Sequence, residues 1–260
     1  DGLPITEHCD ERRLSIAERL RLFEVVCRAV HHAHRNLVVH RDLKPRNILV
    51  NTEGQVKLLD VGIAKLLDEG AGEKTRTGSQ LLTPAYAAPE QLLNLDITTA
   101  TDVYGLGVVL YELLTGRRPF EAMKTPTELR EQVLSGNAPR PSTIITRTAP
   151  ATGEDGVSGP ATLEQLSQTR SIGAGRLRQL IRGDLDTICL MAIRPEPGER
   201  YASAEQLAED IERHLTGVPV RARQGNLGYR ARKFVRRNRA GVAASVLAAA
   251  GFVAFGAYHV

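Results

Sequence analysis

Within a short stretch the chain gathers two carboxylates, an amide and a lysine. It reads His40-Arg41-Asp42-Leu43-Lys44-Pro45-Arg46-Asn47 and then, thirteen residues after Asn47, Asp60-Val61-Gly62. Oxygen-bearing side chains at Asp42, Asn47 and Asp60, with the cation of Lys44, suit phosphoryl transfer. That chemistry needs metal ligands, a positive charge and an oriented nucleophile more than it needs covalent catalysis. The plain alternative is a polar loop whose Asp and Asn side chains cap turns. A third motif bears on the choice, because Ala88-Pro89-Glu90 closes a segment of 31 residues counted from Asp60. Three motifs in this order, with Asp102 and Arg200 downstream, leave little room for coincidence.

The motifs resemble the catalytic loop, the metal-binding motif and the end of the activation segment of eukaryotic-like protein kinases. The resemblance implies that Asp42 accepts or orients the proton of a substrate hydroxyl. It implies that Asn47 and Asp60 hold magnesium (or manganese) ions bridging the phosphates of ATP, and that Lys44 neutralises charge on the transferred phosphoryl group. Leu49 matches the position that forms the floor under adenine. Lys44 within Leu43-Lys44-Pro45 and Thr83 within Thr83-Pro84-Ala85-Tyr86 both match the serine/threonine branch. His40 corresponds to a structural histidine packed beneath the metal motif, and Asp102 to a buried aspartate that fixes the catalytic-loop backbone. Glu90 and Arg200 correspond to a buried ion pair. Arg41 and Lys65 could form a cationic pocket for a phosphorylated Thr75, Thr77 or Ser79, with ordinary solvated hydroxyls as the alternative for each.

These residues need elements to position them. Ser15 and Glu18 make a capping-box signature, and Leu20, Phe23, Val26, Cys27 and Val30 continue at helical spacing to about His34. Leu37 to Val39, Ile48 to Val50 and Val56 to Leu59 read as short strands. Residues 64 to 82 read as a long loop, Asp102 to Leu114 as a helix buried on most sides and ended by Gly116, and 136 to 160 as an exposed insertion. Asp184 to Ile193 and Ser203 to Leu215 read as closing helices, the second with Ser203 and Gln206 placed as a capping box. The fold class expected is α+β, a protein-kinase-like, mainly helical C-terminal lobe with short strands over residues 1–220.

With 260 residues, 42% hydrophobic and 25% charged, the chain can bury one sizeable core and is not compositionally disordered. Its net charge of +4 is concentrated late, with eight Arg or Lys and no acidic residue between Arg221 and Arg239. From Ala240 to Ala257 no residue is charged. That is enough for ~27 Å of helix, close to the thickness of a bilayer core. Residues 221–239 are therefore expected to be a basic juxtamembrane segment and 240–260 a transmembrane helix, with the preceding region on the cytoplasmic side. Gly183-Asp184-Leu185-Asp186-Thr187, Arg200-Tyr201-Ala202-Ser203 and the basic stretch before the Ala-rich span resemble a bacterial membrane-anchored subgroup of these kinases, which implies a bacterial inner membrane. A buried C-terminal helix is the alternative. Cys9, Cys27 and Cys189 show no metal-ligand spacing and read as reduced core thiols, and no secretory signal opens the chain.

The resemblance covers roughly residues 1 to 220. The glycine-rich loop, phosphate-pairing lysine and helix glutamate of a kinase N-terminal lobe are not among them, so that lobe is expected upstream and the chain by itself is expected to be inactive. Sequence is likewise expected beyond the apolar span. Val61 stands where the family has phenylalanine, which is expected to shift the balance of active and inactive states. A pseudokinase scaffold is the competing reading; the intact Asp42, Asn47 and Asp60 oppose it. An aminoglycoside-type small-molecule kinase is disfavoured by Thr83-Pro84 and Ala88-Pro89-Glu90. A nucleic-acid binder is disfavoured because only Tyr229 and Phe234 interrupt the basic run. Partners implied are ATP, protein substrates with Ser or Thr hydroxyls and a membrane; a homodimer is compatible with the resemblance, though no residue selects it.

Overall fold

The computed structural model of the chain describes residues 2–60, 84–121, 125–146, 162–223 and 227–245. Three short strands, β1 (Leu3–Pro4), β2 (Ile48–Val50) and β3 (Val56–Leu58), form one antiparallel sheet in the order β1-β2-β3. The β2–β3 turn is built by Asn51, whose Oδ1 accepts from the N–H groups of Glu53 and Gln55 at 3.0 and 2.8 Å. Gly54, at φ +82°, completes it in a conformation that costs glycine little. The hairpin brings Leu59 N–H to 2.9 Å from Asn47 C=O, so Asn47 and Asp60 come from neighbouring strand ends.

The helices are α1 (Ile5–Glu11), α2 (Ile16–Arg35), α3 (Pro89–Leu92), α4 (Thr99–Thr115), α5 (Pro126–Ser135), α6 (Pro141–Ile144), α7 (Leu163–Thr169), α8 (Ala174–Ile181), α9 (Asp184–Ala192), α10 (Ala204–Leu215) and α11 (Leu227–Arg237). The Ser15–Glu18 capping box starts α2, which buries Leu20, Phe23, Val26, Cys27 and Val30 along one face. At the centre, α4 is buried from Thr101 to Leu110 without a break, and α2, α9 and α10 pack around it. Two arginines, each 1% exposed, close its C-terminal end. Arg170 donates to the carbonyls of Leu113 and Leu114 at 3.0 Å, and Arg19 reaches that of Leu113 at 3.5 Å while donating to those of Cys9 in α1 and Thr169 in α7 at 3.0 and 2.8 Å. Such cations satisfy carbonyls that a helix terminus leaves orphaned and oppose the negative end of its dipole. Burial beside Arg19 pulls the Arg170 pKa down to about 10.

The structure differs from the sequence reading in several places. Leu37 to Val39 form no strand: Leu37 is the left-handed residue that ends α2, at φ +60° with its N–H on His34 C=O. The expected insertion is packed at its start. Pro141, Ser142 and Ile145 are buried, and Asp186 accepts from both the N–H and the hydroxyl of Ser142, at 2.8 and 2.7 Å. Ser203 caps α10 alone, accepting from Gln206 N–H without a reciprocal side-chain bond. All three cysteines are free and buried. No helix among the described residues is long and apolar enough to cross a membrane, and residues 246–260 lie outside them.

Candidate active site

The His40–Asn47 loop is held from below by one carboxylate. Asp102, 1% exposed in the first turn of α4, accepts His40 N–H on Oδ2 and Arg41 N–H on Oδ1, both at 2.8 Å. His34 at the end of α2 adds an Nε2···Oδ2 contact of 2.7 Å. Arg41 lies at φ +69°, a left-handed conformation that costs a side-chain-bearing residue about 1–3 kcal/mol. Its peptide groups are secured on both sides, because Gln91 donates Nε2–H to Arg41 C=O at 2.7 Å while its own Oε1 accepts Ala88 N–H at 2.9 Å.

Beyond this anchor the polar side chains converge. Pro45 opens a single 3-10 turn, Pro45–Asn47, which folds Asn47 back under the loop. Asn47 Nδ2 donates to Asp42 C=O at 2.8 Å and to Asp42 Oδ2 at 3.1 Å, and Lys44 Nζ lies 2.8 Å from the same Oδ2. Asp42 and Lys44 keep 26% and 21% of their side-chain surface open to solvent, whereas Asn47 is buried. Leu43, between them, is buried against Gly105 of α4. Asp60 follows β3 at φ +51°, exposed and with no ion pair among the described residues. Leu49 is half-buried in the sheet, opposite Pro4 and Lys57. His40 is buried, and neither of its ring nitrogens meets a hydrogen-bond partner among the described residues.

A second buried set ties the Ala88-Pro89-Glu90 motif to the lower helices. Arg200 grips Glu90 with two bonds of 2.7 Å and also donates to the carbonyls of Arg194, Ala100 and Pro195. Thr101 donates to Glu90 Oε1 at 2.8 Å, and the guanidinium of Arg200 lies 5.1 Å from the Tyr104 ring centroid. Burial alone would raise the Glu90 carboxyl, but the bonds from Arg200 and Thr101 outweigh it and leave the pKa below its ordinary value. Nearby, Tyr86 donates its hydroxyl to Glu112 at 2.6 Å, and burial pushes both groups up.

The structure thus gathers Arg41, Asp42, Lys44, Asn47 and Asp102 in one cluster, with Asp60 at the adjoining strand end and Glu90 and Arg200 in the support beneath. Val61, Lys65, Thr75, Thr77, Ser79 and Thr83 lie outside the described residues. Sequence reasoning missed Gln91, His34 and Thr101. Gln91 directly follows the third motif and offered a positional hint; the His34 contact spans 68 residues and left no local signal.

Comparison with known proteins agrees with this geometry. Residues 5–166 match the family described as protein kinase domain. The chain is 33% identical over 187 residues to a Corynebacterium efficiens protein named a probable serine/threonine-protein kinase, covering 72% of this chain and 24% of that protein. It is 50% identical over 108 residues to the serine/threonine-protein kinase PknA of Mycobacterium tuberculosis, covering 42% of this chain and 25% of the relative. To PknB of the same species it is 31% identical over 205 residues, covering 78% and 27%. The chain spans about a quarter of the length of these relatives. The match over 5–166 and the similarity to serine/threonine kinases place the chain in the protein kinase domain family.

Proposed function

We propose that the chain supplies the larger lobe of a protein serine/threonine kinase that transfers the ATP γ-phosphate to Ser or Thr hydroxyls of proteins. The observation that carries this reading is the shared oxygen of Asp42. Its Oδ2 is taken by Lys44 and Asn47, while Oδ1 takes no hydrogen bond among the described residues. Oδ1 then orients and accepts the proton of the incoming hydroxyl. Lys44, 21% open to solvent and held at Asp42, meets the negative charge of the transferred group. The same reading assigns Arg41 with Lys65 as the pocket for a phosphorylated Thr75, Thr77 or Ser79 and gives Thr83 a part in recognising the substrate hydroxyl; of these only Arg41 lies among the described residues.

The residues fit a magnesium-nucleotide. Asn47 spends its Nδ2 on Asp42, leaving Oδ1 as an oxygen ligand, and Asp60 offers a carboxylate with no ion pair among the described residues. Both are donors a hard cation prefers. Asn47 and Asp60 would hold the cation, with the remaining ligands expected from the nucleotide's phosphates and water. When bound, magnesium supplies charge neutralisation across the β- and γ-phosphates. Leu49 forms the floor for adenine.

Residues 1–220 are read as the lobe, 221–239 as a juxtamembrane segment and 240–260 as a membrane span that holds the lobe at the cytoplasmic face of a bacterial inner membrane. The charge-free stretch from Ala240 to Ala257 behind eight basic residues supports that reading. The deciding test expresses the whole reading frame and follows labelled phosphate from ATP to a generic basic protein, with Asp42→Ala as control. Transfer abolished in Asp42→Ala supports the kinase; no transfer from a folded protein with magnesium or manganese supports the pseudokinase scaffold instead.

A further inference from the structure

Helix α11 has two faces with different fates. One is bound to the lobe: Tyr229 is 4% exposed, its hydroxyl accepts Val220 N–H at 3.2 Å, and Lys233 Nζ lies 2.7 Å from Asp184 Oδ2. The guanidinium of Arg223 also sits 4.7 Å from the Tyr229 ring centroid. The other face is uncovered, with Phe234 and Val235 exposed by 55% and 45%. Between α11 and the segment before it runs a groove of about 1030 Å³ walled by Arg213, Arg221, Arg223, Arg230 and Arg237. Arg221 and Arg223 are matched by Glu209 and Asp184, at 2.7 and 3.7 Å. Among the described residues no carboxylate lies within 4.0 Å of Arg230 or Arg237, and α11 contains no acidic residue of its own.

Arg230 and Arg237, without a carboxylate partner among the described residues on a helix that has no acidic residue of its own, call for an anionic partner. The apolar rim decides which kind. Exposed Phe234 and Val235 beside arginines suit an interface in which phosphates meet the guanidinium groups and side chains reach below the headgroups. A single-stranded nucleic acid would want several aromatic platforms, but Tyr229 is buried and only Phe234 is exposed on this helix. The helical course also continues through residues 239–245 toward the charge-free stretch.

We propose that α11 is a two-faced adaptor whose Tyr229–Lys233 side grips the lobe through Asp184 while its Arg230–Phe234–Arg237 side docks on an acidic phospholipid bilayer, fixing the lobe's orientation at the surface. The proposal rests on the membrane-anchored reading. Its test places an environment-sensitive fluorophore on Val235→Cys, since the native cysteines are buried. The full-length protein is then reconstituted in phosphatidylcholine discs with and without phosphatidylglycerol. A blue shift is expected only with phosphatidylglycerol and should weaken in high salt. Arg230→Gln with Arg237→Gln should lower the ratio of lipid-buried to exposed label by roughly thirtyfold, from about 1 kcal/mol per basic residue at an anionic surface. Equal emission on both lipids overturns the proposal. So does a shift produced by an oligonucleotide without lipid, which would assign the groove to nucleic acid. Carbonate washing tests the anchor separately: if the protein washes off, its binding to vesicles with and without phosphatidylglycerol still decides the docking face.

Discussion

Arg200 closes a fork on Glu90 across 110 residues of chain, with both nitrogen–oxygen distances at 2.7 Å and both side chains almost wholly buried. Removing one partner leaves a stranded charge. Arg200→Met or Glu90→Ala alone is expected to cost about 3–5 kcal/mol, read from urea unfolding, and the double variant less than the sum of the two. Additive losses would mean that the two residues act independently.

Asp102 and Gln91 hold the two sides of the Arg41 peptide, so they should differ in what they cost. Asp102→Ala abandons two backbone N–H groups and His34 and is expected to lose about 2–4 kcal/mol, with activity lost in the full-length enzyme. Gln91→Ala abandons one N–H and one carbonyl and is expected to lose about 1–2 kcal/mol. Replacing Arg41 by Gly should relieve the left-handed strain and recover part of the Gln91→Ala loss; no recovery would show that the strain is negligible.

Periodicity made α2 and α4 legible, because their burial repeats at helical spacing or fills the whole element. The capping box at Ser15 located one terminus. The chemistry-bearing loop was legible because Asp42, Lys44 and Asn47 are close in sequence as well as in space. What stayed hidden was non-local. Arg19 and Arg170 look like surface cations in sequence, yet both are buried at the C-terminal end of α4. Leu37 has strand composition but serves as a helix terminator, a role set by backbone conformation. Ser142 reads as linker and is instead tied to Asp186, 44 residues away.

Two glycines of α4 lie where other elements come close. A Cβ on Gly107 would fall 2.7 Å from Ala192 Cβ and Ile193 Cγ2, so Gly107→Ala must push α9 away and is expected to cost about 1–3 kcal/mol. A Cβ on Gly105 would meet Leu43 Cβ at 3.0 Å, and Leu43 sits between Asp42 and Lys44. Gly105→Ala should therefore lower kcat of the full-length enzyme at least tenfold while moving the melting temperature less than Gly107→Ala does. The reverse ranking would show that Leu43 does not yield and that the helix bears the clash.

The grip on α11 should be sensitive to acid in one direction only. Burial would raise the Asp184 carboxyl, but hydrogen bonds from His214 and Lys233 and the Lys233 charge hold it well below the usual carboxylate range. The folded-state pKa is thus lower than the unfolded one. The stabilisation is fully present above the unfolded value of about 3.9 and is lost as the pH falls through the folded one. Asp184→Asn keeps the shape and removes the charge, so it should cost about 2 kcal/mol at neutral pH. The gap to wild type should stay constant between about pH 7 and pH 5 and narrow only below about pH 4. Paired urea midpoints across that range measure it. A gap already closing above about pH 5 would show that the charge of Asp184 is not what holds α11.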